Sequence, residues 1–314
     1  MKTKLIETEC QSTIGVVSQL FNRLACLGAV ILICTTASAQ NLFVSGTDAK
    51  GGEIFRFTPT GSTTIIATGL VDPWDVAVDS AGNLFFVDYE VLNGAETLGN
   101  AAIYKLTQSG TLTIFASRLS YHSALAVDNA GNVFVADYDG GIIYKYKANG
   151  SRTTFASGLY HPVGPVFDST GNLFVADNNI GNLHQGSIYQ YNPSGSRTTV
   201  AVLNPGDGPA DLAFDSMGNL FMADLGGNIY MYDLGGVLRR QGRTTFGSVP
   251  QSAQSLIFDN AGNLFVVDAG DSNQKGNAIY KLTQQGARTT FASGNALHET
   301  FSHVAFGPLP PVSY

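Results

Sequence analysis

The sequence predicts an all-β protein: a six-bladed β-propeller of four-stranded antiparallel blades. A unit of two short apolar strands joined by an Asp-x-x-Gly-Asn turn occurs five times along the chain. Its turn glycines lie 49, 40, 47 and 44 residues apart, at Gly82, Gly131, Gly171, Gly218 and Gly262. A self-similar period of this size is typical of propellers and solenoids.

Each unit continues into two further strands. The second unit, for example, predicts strands at 76–79, 84–88, 102–106 and 112–117. Its second strand is apolar at successive positions, which indicates burial on both faces between neighbouring blades. The fourth strands begin with Arg-Thr-Thr in four of the six repeats and are predicted to be partly exposed edges.

One repeat is divided between the two ends of the chain. The first repeat has strands at 41–44, 53–57 and 62–68 but no innermost strand, and 303–306 is an innermost strand without followers. Pairing of the N-terminal strands with the C-terminal strand would close a ring of six blades and leave no open end. An open solenoid gives no reason for such a division.

The first 39 residues predict a secretory signal peptide. Lys2, Lys4 and Arg23 precede an apolar run at 24–34, and Ala37-Ser38-Ala39 stands before Gln40. The alternative is an uncleaved membrane anchor, but eleven apolar residues are short for a membrane span. The predicted organisation is therefore a signal peptide at 1–39, a propeller at 40–307 and a Pro-rich tail at 308–314. The mature protein is expected in the periplasm or outside the cell.

Composition narrows the classes of function. All three cysteines lie in the signal segment, at Cys10, Cys26 and Cys34, so the mature chain contains no thiol or disulfide chemistry. Removal of residues 1–39 takes the formal charge from −7 to −8. An acidic protein lacks the basic surface that nucleic acids require, so no nucleic-acid partner is expected, and no membrane contact is expected after cleavage.

The connections between the second and third strands vary in length and indicate a binding face. They are long at 89–101, 178–186 and 269–277, and insertions on one side of a repeat fold usually mark the face that binds. Trp74, Tyr89 and Tyr138 are the predicted ligand-binding residues, because aromatic groups beside polar ones suit sugars or peptides. The alternative for Trp74 is packing between blades.

The segment from His161 to Asp177, with His-Pro-Val-Gly followed by Phe-Asp-Ser-Thr-Gly-Asn-Leu-Phe-Val-Ala-Asp, resembles the NHL repeat. More broadly, the chain is similar to the six-bladed propellers of the gluconolactonase/senescence-marker-protein group. That resemblance implies one divalent cation, calcium or zinc, on the axis near the starts of the innermost strands. The corresponding positions here are Asp75, Ala124, Gly164, Asp211, Ser255 and His303.

Two hypotheses follow for these axial positions. In the first, Asp75 and Asp211 are metal ligands and His303 is a catalytic base beside a cation that activates water. In the second, both carboxylates bind backbone amides between blades and His303 is a satisfied polar group. The aspartates that recur at one offset in every unit are predicted to be structural, because a catalytic residue needs to occur only once.

The sequence thus supports two functions. The first is an exported binding or scaffold propeller that presents variable loops to an unknown protein, peptide or carbohydrate. The alternative is a metal-dependent hydrolase of the gluconolactonase type, acting on a lactone or ester at the mouth of the central channel.

Overall fold

The computed structural model describes residues 40–48, 51–89, 101–119, 124–178, 186–234, 243–270, 277–293 and 300–307. The chain separates into two units, Met1–Thr36 and Ala37–Tyr314, and all described residues belong to the second. The predicted signal peptide at 1–39 and the tail at 308–314 lie outside the described residues. So do 90–100, 179–185 and 271–276, which form most of the three long connections.

The described chain consists of β-strands, turns and loops, arranged as six four-stranded antiparallel sheets. We call these sheets blades 1 to 6. Blade 1 contains β24 (Thr300–Gly307), β1 (Asn41–Asp48), β2 (Gly51–Phe57) and β3 (Thr63–Leu70). Blade 2 contains β4 (Pro73–Val78), β5 (Leu84–Asp88), β6 (Ala101–Leu106) and β7 (Leu112–Leu119). Blade 3 contains β8 (Ala124–Val127), β9 (Val133–Asp137), β10 (Ile142–Tyr146) and β11 (Arg152–Ser157).

The remaining blades repeat the same order. Blade 4 contains β12 (Pro162–Phe167), β13 (Leu173–Asp177), β14 (Ser187–Tyr191) and β15 (Arg197–Val202). Blade 5 contains β16 (Pro209–Phe214), β17 (Leu220–Asp224), β18 (Asn228–Tyr232) and β19 (Thr244–Ser248). Blade 6 contains β20 (Ala253–Phe258), β21 (Leu264–Asp268), β22 (Ala278–Leu282) and β23 (Arg288–Ser293).

The predicted closure of the ring is confirmed. β24, the last strand of the chain, pairs antiparallel with β1, with Leu42 opposite Phe306 and Val44 opposite Val304. The six-bladed all-β architecture is confirmed with it. The starts of the innermost strands differ from the prediction: β4 of blade 2 begins at Pro73, three residues before its predicted start at 76, and β24 begins at Thr300, three residues before 303. A β-bulge between Pro73 and Val76 lets the pairing with β5 continue past the point where the apolar pattern ends.

The core lies in the wedges between blades. Every second strand of blades 2 to 6 is buried along its whole length. In the wedge between blades 3 and 4, Phe134 of β9 meets Phe155 and Phe167 edge to face, each at a ring-centroid distance of 5.0 Å. Such aromatic contacts add to the free energy of burying the rings. Edge-to-face contacts of the same kind join blades 4 and 5, 5 and 6, and 6 and 1.

The recurring turn between the first and second strands is held by its aspartate. In blade 2, Asp79 Oδ1 accepts hydrogen bonds from the backbone N–H groups of Ala81 (3.0 Å) and Asn83 (2.8 Å). Its Oδ2 accepts one from the Asn83 side chain (2.7 Å). Blades 3 to 6 repeat this set of bonds, with the carboxylates of Asp128, Asp168, Asp215 and Asp259. The structural role predicted for these residues is confirmed.

In blades 2, 4, 5 and 6, the aspartate that ends the second strand holds the link that enters its blade. Asp88 Oδ1 accepts from the N–H groups of Asp72 (2.8 Å) and Val71 (3.1 Å), and Asp177 and Asp268 hold the corresponding links in blades 4 and 6. Pro73 lies opposite Asp88 in the ladder, so the start of an innermost strand and the end of a second strand share one end of the ring. We call this the loop end, and the opposite end, with the Asp-x-x-Gly-Asn turns, the turn end.

We expect Asp268→Ala to lower the free energy of unfolding by about 2–4 kcal/mol. The fully buried Asp268 carboxylate accepts from the N–H groups of Gln251, Ser252 and Gly270, and alanine leaves all three without this acceptor. Urea denaturation measures the change, with Asp139→Ala as the control, because the exposed Asp139 should change stability by less than about 0.5 kcal/mol. Equal effects of the two substitutions would refute the structural role.

Candidate functional site at the loop end

Near the loop end, each innermost strand brings one residue to the central axis. A register shift marks this point in blades 1, 2, 4, 5 and 6. At such a bulge one residue loses its ladder partner, and nearby backbone groups need other hydrogen-bond partners. The six positions are those predicted from the sequence: His303, Asp75, Ala124, Gly164, Asp211 and Ser255.

Asp75 connects blade 2 to blade 3. Its Oδ1 accepts a hydrogen bond from the N–H of Val76 (2.7 Å), the residue that follows it in the bulge. Its Oδ2 accepts from the N–H of Leu125 (2.5 Å), the corresponding residue of the next blade. One carboxylate therefore satisfies two backbone amides in two blades.

Asp211 makes the same connection between blades 5 and 6. Its Oδ1 accepts from the N–H of Leu212 (2.8 Å), and its Oδ2 accepts from the N–H of Leu256 (3.0 Å) and from the Ser255 hydroxyl (2.8 Å). Ser255 Oγ in turn accepts a long bond from the N–H of Val304 (3.4 Å) in blade 1. The chain of amide bonds thus continues around the axis.

Two axial positions, Ala124 and Gly164, carry no polar side chain. The blade that follows each of them needs no hydrogen-bond acceptor from it. Ala124 of blade 3 cannot accept a hydrogen bond, but the residue that follows the blade 4 bulge is Pro165, which has no N–H. Gly164 has no side chain, and a Cβ placed there would lie 2.7 Å from the Leu212 nitrogen, whose N–H is already held by Asp211. The six axial positions therefore account for every amide of this ring.

His303 completes the ring in blade 1. It is 5% exposed, and its imidazole lies 5.3 Å from the Trp74 ring between centroids. Ser45 fixes both backbones, because its Oγ donates to the Trp74 carbonyl (2.6 Å) and accepts from the His303 N–H (3.0 Å). Within the described residues, His303 Nδ1 has no hydrogen-bond partner. It is the one axial polar atom that the backbone does not use.

Burial dominates the electrostatics of this cluster. It raises the pKa of Asp75 to about 7, against the opposing effect of the N–H groups of Leu125 and Val76. It also raises the pKa of Asp211 to about 6; the His303 ring opposes this shift and the Asp75 carboxylate adds to it. Burial lowers the pKa of His303 to about 4, so its imidazole is neutral at neutral pH. A neutral buried histidine can accept a proton only at a free-energy cost.

The predicted metal ligands lie near one another, but their oxygens are directed to backbone amides. In the described part of the chain, no group of three or more His, Cys, Asp or Glu side chains is placed to hold a metal ion. A hard cation needs several converging oxygens, and each Asp75 oxygen already accepts one N–H. The residues present do not fit the axial cation that the family resemblance implies.

The three predicted ligand-binding residues lie in different environments. Trp74 is half-buried between Tyr89 (ring centroids 5.8 Å apart) and His303, and it packs against the apolar cluster between blades 2 and 3. Tyr89 is 3% exposed, so it contacts the Trp74 ring from the interior of the protein. Tyr138 is half-buried in blade 3 and stacks on His161, at 4.3 Å and 18°.

Sequence reasoning missed the partners of Tyr138. Tyr160 is 47% exposed and meets His161 edge to face at 5.1 Å. Asp177 Oδ1 accepts from the backbone N–H groups of Tyr160 (2.8 Å) and His161 (2.9 Å), which fixes the pair. A comparison of the links between blades could have pointed to this site, because the corresponding pairs before blades 2, 5 and 6 contain no aromatic ring; in the sequence, the pair before blade 3 contains one, Tyr121. We call Tyr138, Tyr160 and His161 the aromatic platform.

Comparison with known proteins gives the same fold. The model of the strictosidine synthase-like N-terminal family matches residues 189–232. Among solved structures, a gluconolactonase from Xanthomonas campestris is 15% identical, with a TM-score of 0.59 over 91% of this chain and 96% of its own. A putative gluconolactonase is 15% identical, with a TM-score of 0.58 over 78% and 88%. Virginiamycin B lyase from Staphylococcus aureus is 17% identical, with a TM-score of 0.51 over 70% and 69%.

No curated protein sequence matches the chain. No described helix is long and apolar enough to cross a membrane. The resemblance to the gluconolactonase group is therefore confirmed for the six-bladed fold, which this chain shares with propellers named as lactonases and lyases. At these identities the likeness concerns the fold alone.

The burial of His303 predicts a pH-dependent stability. Its folded pKa, about 4, lies below the usual histidine value of 6.5, so the unfolded state binds more protons between these values and stability falls as pH falls. His303→Gln removes this effect. We expect the variant to gain roughly 2 kcal/mol relative to the wild type between pH 7.5 and 4.5, measured by urea denaturation.

The difference between variant and wild type cancels the opposite contribution of Asp75, whose raised pKa makes stability fall as pH rises toward 7. It includes the change in the pKa of Asp211, which the His303 ring lowers in the wild type. A constant difference between variant and wild type across this range would contradict the neutral, buried state of His303.

Proposed function

We propose that the mature chain is an exported binding protein that presents its loop end to a protein, peptide or carbohydrate. The observation that supports this most is the use of the axial carboxylates. Asp75 and Asp211 bind the amides of Leu125 and Leu256 in the following blades, so the residues that would form a hydrolase site hold the ring together. The variable surface of the molecule is then the loop end itself.

The aromatic platform supplies a candidate contact area there. Tyr160 exposes about half of its side chain, and two backbone hydrogen bonds to Asp177 hold it in place. A rigid aromatic side chain loses little conformational entropy on binding and contributes a large contact area. Trp74, half-buried between Tyr89 and His303, is the second aromatic contact on this end.

Export follows from the predicted signal peptide and agrees with a mature chain that contains no cysteine. Export would also give the two aromatic areas at the loop end access to sugars or peptides outside the cell. Fractionation of the producing cells, with sequencing of the N-terminus, tests this part of the proposal.

The structural similarity to gluconolactonases motivates a second candidate function, metal-dependent hydrolysis of a lactone or ester. In that alternative a divalent cation at the axis would act with His303, whose buried Nδ1 is not used by the described structure. Metal analysis of the purified protein and a lactone hydrolysis assay separate the two functions. Bound calcium or zinc that Asp211→Ala removes, together with loss of turnover, would overturn the binding proposal.

The binding proposal makes its own prediction. Glycan and peptide arrays probed with the mature protein should identify a ligand, and Tyr160→Ala should then weaken its binding by at least about tenfold, because exposed aromatic residues are frequent binding hot spots. Met217→Ala at the turn end is the control, since Met217 is 81% exposed and lies far from the loop end. Calorimetry gives both affinities. Loss of binding in Met217→Ala but not in Tyr160→Ala would place the binding surface at the turn end and contradict the proposal.

A further inference from the structure

A cleft lies at the turn end, in the wedge between blades 6 and 1. Its volume is about 160 Å³. Apolar side chains from both blades line it: Leu42, Pro59, Phe265, Phe291 and Phe306. Polar residues complete the lining, among them Lys281 and Asp259, which form an ion pair (3.8 Å). Phe265 holds the other two rings edge to face, Phe291 at 5.0 Å and Phe306 at 5.2 Å.

The cleft lies where the ring closes. In blades 2 to 6 an Asp-x-x-Gly-Asn turn joins the first and second strands at this end. Blade 1 lacks that turn, because its first strand is β24 and its second is β1, which belong to opposite ends of the chain. Among the described residues, Gln40 lies in its place, and its Oε1 accepts a hydrogen bond from the N–H of Asn260 in blade 6 (3.1 Å). In the part of the chain that the structure describes, no turn covers this wedge.

The size of the cleft indicates the kind of occupant. Pockets for small-molecule ligands usually measure about 300–1,000 Å³, roughly two to six times this volume. A cleft of about 160 Å³ instead suits a few apolar side chains of a peptide segment. Aromatic-lined grooves of this kind bind Pro-rich peptides, which are already extended and lose little entropy on docking.

We propose that residues 308–314 of the same chain dock in this cleft and cover the seam. They follow Gly307 directly, next to Phe306, which lines the cleft. Their sequence is Pro-Leu-Pro-Pro-Val-Ser-Tyr, without a charged side chain. At about 3.1 Å per residue, an extended Pro-rich segment of seven residues reaches about 20 Å, enough to pass along the wedge that it leaves.

Docking of this segment has a structural consequence. Of the six described blades, blade 1 alone is built from both ends of the chain. The hydrogen bonds between β1 and β24 close the ring, and no covalent link joins these two strands directly. A segment bound across Leu42 of β1 and Phe306 of β24 would add contacts to both strands of that junction. The docked tail would then stabilise the β1–β24 pairing that closes the ring.

Disulfide trapping tests the proposal in the chain that starts at Gln40, which contains all described strands and no natural cysteine. Ser313→Cys is combined either with Asn260→Cys, which lines the cleft, or with Ser80→Cys as a matched control. Ser80 holds the same position in the corresponding turn of blade 2, on the other side of blade 1, and both residues are exposed. A Cβ on Gly307 would lie 3.0 Å from Val78 of blade 2, so an undocked tail reaches the control turn as well. Neither substitution touches the core, so both proteins should fold.

A docked tail predicts that the pair with Asn260→Cys cross-links within the chain at least about tenfold faster than the control pair, because docking raises the local concentration of one thiol near the other. Thr58→Arg, which fills the cleft, should remove this advantage, and Thr107→Arg at the same turn position of blade 2 should not. Mass spectrometry after mild oxidation gives both rates.

Two results would overturn the proposal. Equal rates for the two pairs would show that the tail does not prefer the cleft. Cross-links that join two chains, with a rate that rises with protein concentration, would assign the cleft to a second copy of the protein.

Discussion

The structure depends on the need to satisfy backbone amides around a closed axis. Six blades can meet at the centre only if their innermost strands bend there, and five of them show a register shift at this point. Each bend exposes an amide in a buried place, where an unpaired N–H costs about 1–3 kcal/mol. Asp75 and Asp211 each satisfy two such amides in neighbouring blades, Ser255 satisfies one, and Pro165 removes the need for one.

This constraint bears directly on function. A carboxylate that accepts hydrogen bonds from two blades is fixed in position, and it cannot leave that role without a loss of stability. Burial raises the pKa of Asp75 to about 7 and lowers that of His303 to about 4, so the cluster has the perturbed ionisation often seen at active sites. The same shifts have a structural cause, because these groups are buried where the blades meet and the Asp75 carboxylate binds amides of two blades. The loop end, with the aromatic platform, is where the chain departs from its own repeat.

The sequence was sufficient for the architecture because the signals are local and repeated. The Asp-x-x-Gly-Asn turn specifies a hairpin by itself, and the divided repeat specifies closure. The roles of the recurring aspartates followed from their recurrence. The bulges of the innermost strands could not be predicted, because they arise from the meeting of six strands and leave no residue pattern. The starts of β4 at Pro73 and of β24 at Thr300 were therefore missed. The stacking of Tyr138 on His161 joins residues 23 positions apart in different blades, and only the fold brings them together.

The most direct test of this account is a double-mutant cycle at the gap in the axial ring. Pro165→Val creates an amide like that of Val304, and Ala124→Ser supplies a hydroxyl like that of Ser255, which binds the Val304 amide. We expect each single variant to be destabilised and the double variant to recover about 1 kcal/mol relative to the sum of the two losses in urea denaturation. Strictly additive losses would contradict the claim that an axial side chain of one blade can satisfy the axial amide of the next, as Asp75, Asp211 and Ser255 do.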